Sequence, residues 1–357
     1  MTDTSWRQTS SMLKTRRPAP RVLQIAICNP PFNLLNGDVL DQLAATLRSL
    51  TAHDTGAVIL GSDLPDIYIS HYDVGEIADL GDLIPHPALS PPAALLRGAL
   101  HLESLLSLIG LRWLVRKSPL GGMSNLNSYH ECTALLRSVP QVTIAMINGR
   151  AFGGGCELAL ACDLRIMVDT PAEGIAGAGQ AIRGSGIGQP EITLGLIPGG
   201  GGTQMLTRNL GPAKAIEICL EKPLLRAAEA LQLGLVTRLV PARDLLQTTL
   251  DMAIKLSKRS PAAVAAIKDC VHIGASSSLF AGMQREKAHF AVCAMQPEAQ
   301  VAMHKYLDGI DGILGSQGGL EAFEDLDEGI FSDLTPGSAA AASSAAATAA
   351  TAKPKSL

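Results

Sequence analysis

Asn148-Gly149-Arg150-Ala151-Phe152-Gly153-Gly154-Gly155-Cys156-Glu157 follows an apolar run, Val142–Ile147, and leads into another, Leu158–Ala161. The first run reads as a buried strand, and the residues from about Gly154 to Ala161 read as a helix. A glycine triplet at a strand-to-helix junction lets the backbone turn sharply and lets a ligand come close. The helix that starts there leaves its first N–H groups without intrahelical partners and carries positive dipole character. Such a terminus suits an oxygen that gains negative charge. Glu157 falls in the first turn. A second stretch, Gly188-Gln189-Pro190-Glu191 leading to Ile197-Pro198-Gly199-Gly200-Gly201-Gly202-Thr203, places another glutamate 34 residues later. Taken alone, the triplet also reads as a ligand-free turn. Glu157 then only stabilises its helix, by roughly 0.3–1 kcal/mol, and Glu191 is a surface carboxylate. Pro190 fixes the local backbone, and Ile192 and Leu194 read as buried, an apolar frame that would raise the Glu191 pKa. On residue chemistry alone, acid–base catalysis and a structural role stand side by side.

Working outward, Val22–Cys28, Ala57–Leu60, Ile67–Ser70 and Asp163–Val168 read as further strands, and about Asp38–Leu50 and Ser124–Arg137 as helices. This order predicts a mixed α/β core of layered type. Residues 1–20 are polar and read as a loose arm. Proline-rich 85–92 leads into an apolar stretch, Ala93–Val115, whose Arg97, His101, Glu103 and Arg112 argue against a membrane span. It reads as a helix packed on the domain. Residues 171–187 read as a Gly/Ala loop. Gly177-Ala178-Gly179 lacks the strand–turn–helix setting of a dinucleotide fingerprint, and Gly199–Thr203 lacks the lysine of a phosphate loop. From Gln204 to Leu307 the pattern is mostly helical, with Leu235–Val240 as a last strand, and the composition shifts near 240–260. Beyond about 310 the chain turns acidic and Gly-rich, then Ala/Ser/Thr-rich from 338, a low-complexity tail expected to be disordered.

Composition narrows the function. The chain has 357 residues, 47% hydrophobic, with a net charge of −4. That is enough for a large core, and it offers no basic surface for nucleic acid. Seven scattered cysteines form no C-x-x-C pair, so they read as reduced thiols in a reducing compartment. Eight histidines show no metal-ligand spacing, so no metal is expected. No secretory apolar segment follows the N-terminus. The final Lys355-Ser356-Leu357 does not satisfy the peroxisomal S-K-L address. The expected location is the cytoplasm or another reducing compartment, with the mitochondrion and peroxisome left open.

Asn148–Asp163, Gly188–Gly211 (GQPEITLGLIPGGGGTQMLTRNLG) and, more loosely, Leu225–Pro241 together resemble the signature of the enoyl-CoA hydratase/isomerase (crotonase) family. The similarity runs from about Val22 to Met295. It implies a crotonase spiral of ββα units over 21–255, interrupted by an insertion at 80–122. A C-terminal helical trimerisation region over 256–310 and the tail 311–357 would follow. It implies catalytic roles for Glu157 and Glu191, and an oxyanion hole from the N–H groups of Tyr72 and Gly154. Substrate contacts are implied at Ser70, Tyr72, Asp73, Val74, Gly154 and Gly199. The implied reaction is hydration of trans-2-enoyl-CoA to 3-hydroxyacyl-CoA, with no cofactor beyond the coenzyme A of the substrate and with assembly as homotrimers or hexamers. An enoyl-CoA isomerase, another acyl-CoA enzyme of the family, and a catalytically silent acyl-CoA-binding member are the alternatives. The chain departs from the family pattern at His71, where a glycine is usual, and in the insertion, which is expected to border the acyl pocket.

Overall fold

The computed structural model describes residues 3–81, 92–118, 121–169 and 185–308. Two sheets organise them. The larger has seven strands. β1 (Asp3–Gln8), β2 (Leu13–Ala19) and β3 (Val22–Ile27) run antiparallel to one another. β4 (Ala57–Ser62), β6 (Val142–Ile147), β8 (Leu164–Val168) and β11 (Arg238–Val240) continue the sheet in parallel from β3. The smaller sheet orders β10 (Leu224–Arg226), β9 (Gly186–Gly188), β7 (Arg150–Phe152) and β5 (Ile67–Ile69). Each pair of successive strands, β4/β5, β6/β7 and β8/β9, puts its first member in the large sheet and its second in the small one. A helical segment follows each pair. This repeat is the ββα spiral, and it explains the sequence pattern. β4 and β6 are covered on both faces and read as near-continuous apolar runs, with Thr143 the polar exception inside β6.

Between β3 and β4 lies α1 (Gly37–Arg48), started by Asn36, whose side chain accepts from the Val39 N–H at 2.9 Å. After β5 come α2 (Val74–Gly81), α3 (Ala93–Leu108), α4 (Arg112–Arg116) and α5 (Gly121–Ser138). Helix α5 is central: α1, α2, α3, α4, α6 (Gly154–Ala161) and α11 (Pro261–His272) all pack on it. Helices α7 (Gly202–Leu210), α8 (Pro212–Leu220) and α9 (Ala227–Gln232) follow the small sheet. α10 (Leu245–Ser257), α11, α12 (Leu279–Ala294) and α13 (Pro297–Asp308) complete the helical C-terminal part. The main core fills the space between the sheets and α1, α5 and α6, and a second core lies beneath α10.

Three expectations change. Residues 3–19 are not a loose arm but two strands at the edge of the large sheet. Their arginines, lysine and threonines suit an edge that must not pair with a second molecule, and the same residues hide the strand pattern. The apolar stretch 93–115 is two helices, broken where Gly110 takes φ +79°. The loop expected over 171–187 ends in strand β9, its residues 171–184 lying outside those described, as do the Pro-rich 85–91 and the tail 311–357. None of the seven cysteines is in a disulfide.

A buried cation ties the C-terminal helices to the spiral. Lys268 on α11 donates to Leu136 O at 2.9 Å, Gln141 O at 3.0 Å and Asp163 Oδ2 at 2.8 Å. Asp163 Oδ2 also accepts from the Thr143 N–H and hydroxyl. Lys268→Met removes the cation from a half-buried carboxylate and leaves two carbonyls without their ammonium donor. It is expected to cost about 3–5 kcal/mol and to lower the thermal midpoint by about 10 °C. An unchanged unfolding temperature would show that this pair contributes nothing.

Candidate active site

The β7–α6 junction sets the floor of the site. Gly153 adopts φ +48°, a conformation that disfavours side chains, and donates to Gly188 O at 2.8 Å, which locks the turn to β9. A Cβ at Gly153 would lie 2.8 Å from Glu191 Oε1 and 3.6 Å from the His71 Cβ. The strand pairing therefore lays Glu191 over the start of α6. Every residue of α6 is buried, so Glu157 enters an environment that penalises charge. Its Oε1 accepts from the N–H groups of Gly200 and Gly202, both at 2.7 Å. Gly202 begins α7, so the carboxylate also lies at the positive end of that helix.

These surroundings act differently on the two carboxyls. Burial pushes Glu157 above the usual carboxylate range. The Gly202 N–H, the Tyr129 hydroxyl and the Gly200 N–H pull it back. Glu191, on a short 3-10 turn (Pro190–Leu194), is raised to about 7, chiefly by burial. A backbone hydrogen bond of its own opposes the shift, and the Glu157 charge adds to it. The buried Gln189 amide turns its nitrogen to Glu191, 3.0 Å from Oε1 and 3.2 Å from Oε2, since the opposite orientation would set oxygen against oxygen. The pair is thus asymmetric: one carboxylate held by fixed backbone donors, the other poised to keep a proton near neutrality.

Tyr129, on the face of α5 turned to the core, is a site residue that sequence reasoning missed. Its hydroxyl donates to Gly154 O at 2.6 Å and lies against Glu157. Burial and that carboxylate keep its own pKa well above the tyrosine norm. Its ring stacks on Tyr72, centroids 5.9 Å apart. The Tyr72 backbone is pinned by a bridge to Leu35: Leu35 N donates to His71 O at 2.9 Å, and Asp73 N donates to Leu35 O at 2.7 Å. The Tyr72 hydroxyl bonds Glu76, which also accepts from Asn125 Nδ2 and Gly37 N. The Tyr72 nitrogen comes within 3.3 Å of where a Cβ on Gly154 would lie, so the two backbone segments expected to make an oxyanion hole face each other closely.

A cavity of about 470 Å3 opens over these groups, a size ordinary for a small-molecule site. His71, Tyr72, Val74, Gly154, Glu157, Glu191 and Gly199 all line it. Leu126, Leu194 and Ile197 supply much of its apolar wall. Two expected substrate contacts lie elsewhere. Ser70 is buried and accepts from Arg150 Nε at 3.0 Å, while Asp73 Oδ1 accepts from the Gly75 N–H at 2.8 Å in the first turn of α2. Ile192 and Leu194 correct another expectation, since both are exposed, Leu194 at 60%. The short turn after Pro190 leaves both outside the core, with Leu194 at the cavity, and the burial of Glu191 comes from the spiral behind it. His71 is half-buried and holds Nδ1 2.6 Å from Tyr72 O. Among the described residues no cluster of His, Cys, Asp and Glu could hold a metal, and no helix is long and apolar enough to cross a membrane.

The geometry defines a class: a spiral α/β protein whose apolar cavity joins two carboxyls with unlike hydrogen-bond surroundings to a glycine-started helix. A model of the enoyl-CoA hydratase/isomerase family matches residues 123–311. A probable enoyl-CoA hydratase of Mycobacterium bovis is 42% identical over 155 residues, 43% of this chain and 55% of the relative. The short-chain-enoyl-CoA hydratase of Clostridioides difficile is 39% identical over 153 residues, 43% of this chain and 89% of the relative. The matched stretch thus spans about half the length of the mycobacterial relative. The crystal structure of a Geobacillus kaustophilus enoyl-CoA hydratase superposes with a TM-score of 0.64 at 23% identity, covering 84% of this chain and 94% of that one, a likeness of fold. The chain belongs to the enoyl-CoA hydratase/isomerase family, and its core is the crotonase spiral.

Proposed function

We propose that the protein hydrates 2-enoyl-CoA thioesters to 3-hydroxyacyl-CoA. The observation that carries the reading is the pairing of Glu157 and Glu191 in one apolar cavity with unlike hydrogen-bond surroundings. The thioester oxygen sits between the N–H groups of Tyr72 and Gly154, which stabilise the enolate that forms as water adds. Glu157, ionised and aligned by Gly200 and Gly202, takes a proton from water as its oxygen bonds to C3. Glu191 gives its proton to C2. The sum is one water added, hydroxyl at C3 and hydrogen at C2. The cycle resets when a proton leaves Glu157 and one returns to Glu191. No bond or electron count calls for a redox group or metal. Isomerisation needs only one carboxyl to shuttle a proton along the chain, so two carboxyls with separate hydrogen-bond partners in one cavity favour hydration.

The assay follows loss of the conjugated enoyl-thioester absorbance with crotonyl-CoA and longer 2-enoyl-CoA substrates. Steady loss with formation of the 3-hydroxy product supports the reading. Binding of the thioesters with no turnover on any of them would replace it with a silent acyl-CoA-binding role. Because Glu191 must carry its proton to act as the acid, and its pKa is about 7, activity is expected to fall as pH rises above that value. The fall approaches about tenfold per unit. A profile flat from neutral into the alkaline range would exclude Glu191 as the acid. The same reading carries self-association through α12, whose Phe280 and Phe290 are exposed. A solution mass three or six times 37.2 kDa is the expected result.

A further inference from the structure

Helix α3 is turned inside out. The residue it buries against α5 is Glu103, 3% exposed, whose carboxylate accepts from the Ser124 hydroxyl at 2.8 Å and from the Asn127 amide. Asn127 also donates to Leu100 O at 3.0 Å. The seam between the two helices is therefore polar and satisfied. The leucines face outward. Leu95, Leu102, Leu105 and Ile109 are 59–70% exposed, and at helical spacing they fall within an arc of roughly 80°. Beyond the break at Gly110, Trp113 and Leu114 extend the apolar surface, with Lys117 Nζ 5.3 Å from the Trp113 ring centroid. A helix that exposes such a stripe while seating a glutamate inside has an external partner for it.

Charge identifies the partner. On α3 and at the end of α4, Arg97 and Lys117 are exposed, while the one acid of residues 92–118, Glu103, is the buried one. The outward face is thus apolar and cationic in a chain whose net charge is −4. A symmetric contact between two copies would set these cations against their own kind. An anionic lipid surface accepts both the leucines and the cations: leucines and tryptophan enter the headgroup–acyl boundary, and Arg and Lys meet the phosphates. We infer that α3 and α4 form a peripheral docking surface for anionic membranes. Gly122 and Leu126, on the helix that carries α3, line the cavity. Docking therefore holds the cavity beside a lipid surface, where long acyl thioesters partition. The inference rests on the α3–α4 surface and stands or falls independently of the reaction.

Trp113 provides its own reporter, because Trp6 is the sole other tryptophan. The full chain carrying Trp6→Phe is titrated with phosphatidylcholine vesicles containing about one-third phosphatidylglycerol, and with phosphatidylcholine alone. The expected results are a blue shift of Trp113 emission and flotation of the protein with the anionic vesicles only, both weakened by salt. Leu102→Glu/Leu105→Glu and, separately, Arg97→Glu/Lys117→Glu are each expected to reduce the bound fraction about tenfold. Both pairs contain exposed residues alone, so folding, checked by an unchanged thermal midpoint, is not at issue. Failure of the wild-type surface to bind anionic vesicles overturns the inference, as does equal binding to neutral ones. A smaller oligomer on Leu102→Glu/Leu105→Glu without vesicle binding overturns it in favour of a contact between copies.

Discussion

Glu157→Gln is expected to lower kcat on crotonyl-CoA by about 10²–10⁴-fold, with Glu191→Gln giving a loss of the same order. The substitution is informative because glutamine retains the shape. Its amide oxygen still accepts from the Gly200 and Gly202 N–H groups that hold Oε1 at 2.7 Å, so α6 and the start of α7 stay in place. What is lost is the ability to accept a proton from water. At position 191 the loss is the ability to hold and release one. Both groups act in one addition, so the double variant is expected to fall little below the worse single one. KM is expected to move less than kcat, since in the proposed reaction both carboxyls act on the acyl C2 and C3 rather than on the coenzyme portion. A loss below about tenfold in either single variant, with the fold intact, would remove that residue from the proton-transfer step.

How far the site was legible follows from the range of the interactions that build it. Glu157 was readable because everything that places it is local: a buried strand, a glycine turn and the first turn of a helix. β6 and α6 fall where periodicity and the glycines put them. The approach of Glu191 to that helix is not local. It depends on the pairing of β9 with β7, Ala151 with Ile187 and Phe152 with Gly188, a register that only the assembled spiral defines. Residue chemistry alone left Glu191 ambiguous for that reason, and its expected catalytic role came from the joint resemblance of both stretches to one family. Tyr129 was invisible for a different reason. An aromatic on the apolar face of a helix reads as core, and Tyr129 is core in every respect except where its hydroxyl ends. The donors to Glu157, the N–H groups of Gly200 and Gly202, were not anticipated, because four consecutive glycines give no local cue to which N–H groups converge. In α3 the sequence showed an apolar helix but not its orientation. Ser124 and Asn127 on α5 decide that by taking Glu103 inward.

A single methyl group at Gly154 tests the other half of the chemistry, the stabilisation of charge on the thioester oxygen. In Gly154→Ala the new Cβ would lie 2.7 Å from the Tyr129 hydroxyl oxygen, 3.2 Å from Leu35 Cδ1 and 3.3 Å from the Tyr72 nitrogen. The tyrosine cannot simply swing away, because its hydroxyl is bound to Gly154 O and its ring is stacked on Tyr72. The methyl therefore wedges α6 away from the Tyr72 backbone and occupies the gap between the two expected donors. Overpacking of this kind costs about 1–3 kcal/mol of stability, whereas loss of one oxyanion donor costs about 10²–10³-fold in kcat. The second effect is separable from the first, since a protein that stays folded at the assay temperature loses none of its rate through stability alone. Gly98→Ala is the control: a methyl there meets nothing within 4 Å, and full activity is expected. Thermal unfolding and steady-state kinetics on both variants decide the matter. A folded Gly154→Ala protein that keeps most of its turnover would show that the thioester oxygen is held somewhere other than between Gly154 and Tyr72.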